Sequence, residues 1–296
     1  MNQNTPQKAL RIPPWLRIKL PKVGEHKERF VLTKDNVDKL GLHTVCQSAK
    51  CPNMCQCFSA GTATFLLLGN ICTRNCAFCN IESGKVVSPD QNEPKNIALA
   101  AKELGLKHVV LTSVTRDDLP DGGAGQFAQS IYYLREMIDD ISIEVLIPDF
   151  QGCEHALKMV MDAKPDIINH NVETTPNLYN TIRPEANYKQ SLELLRRVKQ
   201  AGFISKSGFM VGLGETEDEI KTLLSDLAGV ECDIVTVGQY MQPTRKHMQV
   251  LSYVEPELFD SYAKYGQQLG IPYVFSAPLV RSSFNALDIY KEFKKL

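Results

Sequence analysis

Six apolar, β-rich segments recur through the middle of the chain, at residues 62–69, 108–113, 142–148, 166–171, 204–211 and 233–239. The stretches between them carry helical spacing. Ile97, Ala101 and Leu104 recur at i, i+4 and i+7, and Leu192, Leu195 and Val198 at i, i+3 and i+6. Strands alternating with helices predict βα units and a parallel sheet, hence an α/β fold. Six units are fewer than the eight that close a TIM barrel, so the pattern predicts an open, partial (β/α)6 barrel of TIM type. No low-complexity segment or linker interrupts it. Residues 61–252 then form the barrel, with 1–60 and 253–296 as N- and C-terminal extensions packed against it.

In such barrels the reactive groups gather at the C-terminal ends of the strands. A run of cysteines from Cys72 follows the first predicted strand, and Thr112 and Ser113 close the second. His170, Asn171 and Glu173 follow the fourth, and Gly212, Gly214 and Glu215 the fifth. All are expected to face one cavity. The glycine pair is not a dinucleotide fingerprint, because Glu217 stands where the third glycine belongs. It reads as a tight turn that lets a ligand ring approach, with Thr216 and Glu219 forming a capping box for the next helix.

Composition narrows the class. With 296 residues and 43% of them hydrophobic, the chain can bury one large core, and a net charge of −1 gives no reason to expect nucleic acid. Residues 1–8 are polar, and no apolar run nears the ~20 residues of a membrane span, so a soluble cytoplasmic protein is expected. Eight basic side chains against Glu25 and Glu28 in residues 8–34 read as a solvated extension. An odd total of nine cysteines fits no disulfide framework and suits a reducing compartment.

Seven of those cysteines lie between Cys46 and Cys79, and six form two triplets. Cys72, Cys76 and Cys79 make a C-x3-C-x2-C run; Cys46, Cys51 and Cys57 are spaced x4 and x5. A four-iron cluster normally takes four thiolates, so a triplet leaves one iron open to substrate, cosubstrate or a weaker ligand. Two such clusters imply chemistry rather than electron storage. Zinc favours paired C-x2-C knuckles, and Cys76–Cys79 is the only such pair. The bacterial ferredoxin spacing C-x2-C-x2-C-x3-C-P is absent. Cys153 and Cys232, isolated in sequence, read as small buried hydrophobes.

The C-x3-C-x2-C run after the first strand, with aromatic Phe78 before Cys79, resembles the radical S-adenosylmethionine superfamily. Cys46, Cys51 and Cys57, together with Arg281, Ser282 and Ser283, narrow the likeness to the lipoyl synthase family. Stretches 112–124 (including Arg116, Asp117 and Asp118), 170–174 and 239–247 agree, and the likeness runs from about Pro14 to Ala286. It implies radical insertion of two sulfur atoms at C6 and C8 of an octanoyl chain held on a lysine of a lipoyl carrier domain or H-protein. Two [4Fe-4S] clusters are implied. The cluster on Cys72, Cys76 and Cys79 would receive S-adenosylmethionine, two per product. An auxiliary cluster on Cys46, Cys51, Cys57 and Ser283 would give up its sulfur. A low-potential donor such as ferredoxin or flavodoxin would supply electrons. Ser283 is expected to reach the auxiliary cluster by folding the C-terminal segment over the barrel mouth.

Cosubstrate contacts are expected from Ser113 to the methionine amino group, Asn171 and Glu173 to the ribose, and Arg183 to the carboxylate. His170 has no partner of metal-ligand spacing and reads as structural. The chain departs from the family pattern at Phe284, where Tyr is usual, at Ala277, where Gly is common, and in the extra Cys55. A biotin-synthase-like sulfur transferase would share the Cys72 triplet without the Cys46 spacing, and a two-cluster electron carrier would make no 5′-deoxyadenosine.

Overall fold

The computed structural model describes residues 10–17, 27–48, 51, 53–59 and 63–296. Lys8, Lys19 and Lys22, and the side chains of Lys27, Arg29 and Cys55, lie outside the described residues. Helix α1 (Lys27–Lys39), strand β1 (His43–Thr44) and the short helices α2 (Val45–Ser48) and α3 (Met54–Ser59) precede the first parallel strand, β2 (Thr64–Leu67). A two-stranded ladder of β3 (Ile71–Cys72) and β4 (Glu82–Ser83) follows. The repeating part then runs α4 (Glu93–Glu103), β5 (His108–Ser113), α5 (Ala124–Met137), β6 (Ser142–Leu146), α6 (Glu154–Asp162) and β7 (Ile167–Asn169). It continues through α7 (Tyr179–Ile182), α8 (Tyr188–Gln200), β8 (Ile204–Val211), α9 (Glu217–Gly229) and β9 (Ile234–Gln239), and ends with α10 (Pro256–Gln268), β10 (Tyr273–Ser276) and α11 (Ala286–Phe293).

All six expected strands form, in the expected order, as β2, β5, β6, β7, β8 and β9. Each pairs in parallel with the next. The sheet is larger than the sequence pattern indicates. Strand β10 adds a seventh parallel member beside β9, and β1 pairs antiparallel with β2 at the other edge. Segment 253–296 therefore extends the sheet as well as packing on it. The four residues of β10 include only one that is fully buried, Val274. They lack the long apolar run by which the central strands declare themselves.

Alternation along each strand separates two faces. Val109, Leu111, Ile143, Val145 and Ile168 join the apolar faces of α4, α5 and α6 in one core, while Phe209, Val211, Val235 and Val237 pack with α9 and α10 in another. The opposite face carries polar side chains that are equally buried. Lys206 and Glu144, both 0% exposed, pair through two 2.9 Å contacts, and Asn169 donates to the same carboxylate at 3.0 Å. A buried pair of this kind holds only with its hydrogen bonds complete.

Helix α11 closes that face at the end where the strands start. Ile289 packs on Ile167 and Ile234, the Tyr290 ring lies 6.0 Å from that of His108, and Tyr273 bonds to Glu292. Helix α11 thus covers the starting end of the strands, while residues 277–282 pass the C-terminal ends of β9 and β7, where the Gln239 amide donates to Pro278 O at 3.1 Å and Asn171 to Ser282 Oγ at 3.3 Å. Ile167 and Ile234 offer α11 its apolar seat. No helix among the described residues is long and apolar enough to cross a membrane.

Candidate active site

Because the seven strands are parallel, their C-terminal ends share one edge, and the Cys72 loop lies there. The turn after β2 is held by Glu93, whose carboxylate accepts from the Leu68 amide at 2.8 Å. The loop is then fixed by its own backbone: the Thr73 amide donates to Thr115 O (3.0 Å), Ala77 to Ile182 O (2.9 Å) and Met248 to Ala77 O (2.8 Å). Cys72 Sγ accepts from the amides of Arg74 (3.4 Å) and Thr115 (3.3 Å), and Cys79 Sγ from Ile81 (3.5 Å). Amide donors to sulfur stabilise thiolate character and tune an iron–sulfur cluster. Burial works the other way, raising the Cys76 thiol and pushing Cys79 up to about 12. These thiols release protons when a metal takes their place.

Three of the expected cosubstrate residues surround this loop. Asn171 donates to Glu173 at 3.1 Å, and Arg183 Nη1 donates to Asn171 O at 2.9 Å. The charges of Arg183 and Glu173 act on Cys76, and that of Glu173 on Cys79, so the carboxylate, the guanidinium and the thiols share one neighbourhood. Burial raises the Glu173 carboxyl against the opposing pull of Arg183 and Asn171. Glu173 also holds a left-handed φ of 68°, costly for a residue with a Cβ and sustained by its bridge to Phe209. Ser113 ends β5 beside Leu67 of β2. Ser113 Oγ, Asn171 Oδ1 and Arg183 Nε are buried without a hydrogen-bond partner in the protein. Unsatisfied buried polar atoms are rare, and three of them on residues expected to bind one polar cosubstrate fit that ligand.

Cys46 and Cys57 of the other triplet stand near the strand starts, and Asn80, beside Cys79, donates to Ser48 O at 2.8 Å and so ties the two cysteine segments together. Cys51 N donates to Cys46 O and Cys57 N to Asn53 O, which folds the segment on itself. Cys46 is buried and its thiol is pushed up to about 12, first by burial and then by the charges of Cys51 and Cys57. A cavity of about 330 Å³ is lined by Cys46, Cys57 and Ser283, with Thr64 and His108 from the strand starts. Asn53 Nδ2 donates to Leu279 O at 2.8 Å, tying the cysteine segment to the C-terminal one. Gly238 permits this route, since a Cβ there would sit 2.2 Å from Val280 O. The departures at Ala277 and Phe284 do no visible harm: Ala277 N donates to Val237 O at 3.1 Å, and Phe284 N to Arg281 O at 2.8 Å. Ser282 points elsewhere, its Oγ accepting from Asn171 at 3.3 Å. The two adjacent serines therefore face apart, Ser282 toward Asn171 and Ser283 into the cavity with Cys46 and Cys57.

Two further expectations change. A Cβ on Gly212 would meet Gln239 Nε2 at 2.1 Å and Ser252 O at 2.5 Å. Protein, not a ligand ring, fills the space this glycine leaves, while Glu215 accepts from the Gly212 and Leu213 amides. Cys153 is exposed, whereas Cys232 is buried as expected. The capping box of α9 forms as expected.

Sequence reading missed Arg74. Its guanidinium meets Asp117 at 2.6 and 2.8 Å and Asp149 at 2.7 and 2.9 Å, clamping the loop between Cys72 and Cys76 to the turns after β5 and β6. Burial opposes the charge on Arg74, but these bonds outweigh it and raise its pKa. Asp149 is itself buried, and losing its partner would cost on the order of 3–5 kcal/mol. The residue is visible inside the triplet, but only the fold brings it to Asp149.

His170 is structural, as expected. It is buried, bonded at Nδ1 to Ile147 O and at Nε2 to Ser191, and burial, with the nearby charge of Arg183, lowers its pKa to about 4. The unfolded chain, with a pKa of about 6.5, binds the extra proton between those values. Stability is therefore retained above about pH 6.5 and falls as pH drops toward 4, by at most roughly 3 kcal/mol. His170→Gln keeps an acceptor for Ser191 without titrating. Urea unfolding across pH 4–6.5 should show a shallower loss for that variant than for the unaltered protein.

Comparison with known proteins agrees with this geometry. The radical SAM superfamily model matches residues 66–227, more than half of the chain. Lipoyl synthase from Nitratidesulfovibrio vulgaris is 61% identical over 95% of this chain and 93% of its own length. The chain belongs to the lipoyl synthase family. Lipoyl synthase from Oleidesulfovibrio alaskensis is 59% identical over 96% of both chains. Among solved structures, methylornithine synthase superposes with a TM-score of 0.52 at 14% identity, over 84% of this chain and 78% of its own. That likeness concerns the fold alone, the partial-barrel type of radical SAM enzymes.

Proposed function

We propose that the chain carries out the reaction its family implies. It inserts two sulfur atoms at C6 and C8 of an octanoyl chain held on a protein lysine, and S-adenosylmethionine supplies the radicals. The observation that carries this reading is the pairing of two separate cysteine sites on one sheet. One triplet adjoins Asn171, Glu173 and Arg183, and the other shares a cavity with Ser283.

The donor sets fit clusters better than single ions. Each site offers three cysteine sulfurs, and those of Cys72 and Cys79 already accept from backbone amides. A four-iron cluster spreads its thiolates over separate irons. Cys72, Cys76 and Cys79 would hold one cluster, which when bound supplies the electron that cleaves the S–C5′ bond of S-adenosylmethionine. Arg183 would take the cosubstrate's carboxylate and Ser113 its amino group, while Asn171 and Glu173 accept and orient the ribose hydroxyls. Cys46, Cys51, Cys57 and Ser283 would hold a second [4Fe-4S] cluster, which enters the reaction as the sulfur-donating substrate.

The six central βα units act as an open barrel between these sites. Residues 1–60 bring the auxiliary cysteines and 253–296 bring Ser283. The partners are octanoylated lipoyl carrier domains or H-protein and a low-potential donor such as ferredoxin or flavodoxin, in the reducing cytoplasm. Anaerobic reconstitution followed by mass analysis of an octanoyl-lysine carrier peptide tests the reading. Two added sulfurs per peptide and two 5′-deoxyadenosine per product are expected; cosubstrate cleavage without sulfur transfer would overturn it.

A further inference from the structure

Four buried or half-buried side chains run from Arg183 into the protein as a single file. Arg183 Nη1 lies 2.8 Å from Tyr179 Oη, Tyr179 Oη 2.8 Å from Ser191 Oγ, and Ser191 Oγ 2.9 Å from His170 Nε2. His170 Nδ1 ends the file at Ile147 O, 2.9 Å away. Ser191 and His170 are 0% and 1% exposed and Tyr179 is 2% exposed, so water cannot exchange for these partners.

Chemistry fixes every proton in this file. A carbonyl oxygen only accepts, so His170 Nδ1 must donate to Ile147 O. The neutral ring then has Nε2 as an acceptor. Ser191 donates to Nε2 and is left to accept from Tyr179, and Tyr179 is left to accept from Arg183, which only donates. Every bond runs in one direction, so each hydroxyl is polarised by the next. The Arg183 carbon Cζ also lies 5.3 Å from the Tyr179 ring centroid, and Asn171 O takes a second bond from Nη1 at 2.9 Å. One edge of the guanidinium is thereby committed, while Nε remains buried without a protein partner.

We propose that Tyr179, Ser191 and His170 are positioning residues, a one-way donor relay that sets the Arg183 guanidinium so that its free edge receives the carboxylate of S-adenosylmethionine. This rests on the reading of Arg183 as the carboxylate-binding residue. The relay spans two elements, α7 and α8, and ends at the residue after β6, so it also ties the guanidinium to the sheet. Rigid support of this kind is what holds a binding group in productive geometry.

The test is binding, not turnover. Equilibrium dialysis of the reconstituted, unreduced protein compares S-adenosylmethionine with 5′-deoxyadenosine, which lacks the carboxylate. Tyr179→Phe should weaken S-adenosylmethionine about tenfold and leave 5′-deoxyadenosine unchanged within about twofold. His170→Leu, which removes the terminal acceptor, should show the same selectivity, and His170→Gln, which restores one, should recover affinity. Ser191→Ala serves if Tyr179→Phe does not fold. Equal weakening of both ligands, or of neither, overturns the relay. Arg183→Gln separates the two layers. If it too treats both ligands alike, the carboxylate assignment itself fails; if it is selective while the relay variants are not, only the relay fails.

Discussion

Replacing Cys72, Cys76 and Cys79 together by alanine is expected to reduce cosubstrate cleavage to background and to lower iron from about eight to about four per chain after anaerobic reconstitution, as two four-iron sites require. The loss should be chemical and not a collapse of the loop. Thr73, Ala77 and Met248 hold the segment through backbone bonds that involve no cysteine side chain. The Arg74 clamp on Asp117 and Asp149 is likewise untouched. Only the amide contacts of Cys72 and Cys79 sulfur are given up. 5′-Deoxyadenosine measured under reductant, with iron determined on the same sample, decides the matter. Cleavage that survives in the triple variant would remove the radical assignment from this triplet.

Much of this arrangement can be read before any coordinates exist, because the parallel sheet converts sequence order into position. Long apolar runs such as 204–211 and 233–239 announce central strands, and whatever follows such a strand must lie at one edge. That is why Asn171, Glu173 and Arg183 were identifiable beside the Cys72 loop. Contacts that depend on folding over long distances were not legible. Arg74 meets Asp149 across 75 residues, and Asn53 meets Leu279 across 226. Strand β10 escaped notice because an edge strand of four residues with only Val274 buried has no distinctive pattern. The C-terminal segment is only partly at the mouth, with residues 277–282 beside the C-terminal ends of β9 and β7 and α11 at the starting end. The family likeness implies that Ser283 meets the cysteines, but the end of the sheet where they meet follows from the apolar seat of Ile289 on Ile167 and Ile234. Gly212 misled because a glycine indicates a close approach without saying what approaches.

The cavity shared by Cys46, Cys57 and Ser283 gives the second large effect. Replacing Cys46, Cys51 and Cys57 by alanine should leave cosubstrate cleavage intact while abolishing sulfur insertion, since the Cys72 loop is held by backbone bonds to Thr115, Ile182 and Met248, and the Asn80 bond to Ser48 O uses no cysteine side chain. Ser283 admits a finer test. A hydroxyl oxygen is a harder donor than a thiolate and holds iron in a sulfur-rich site less firmly. In the proposed reaction each carbon–sulfur bond formed would pass an electron to the auxiliary cluster, and an iron held by Ser283 would be the one most readily released. Ser283→Cys should therefore keep iron at the full level while product falls at least about tenfold, because the stronger ligand retains the iron that must depart. Ser282→Cys is the control. Its hydroxyl faces Asn171 near the cosubstrate residues, away from the cavity, so it should leave auxiliary iron unaltered and impair sulfur insertion less. Iron and lipoyl product measured on one Ser283→Cys sample settle the point: full occupancy with unaltered turnover would mean that the hold on this iron does not govern sulfur release, and a larger loss in Ser282→Cys would reverse the roles of the two serines.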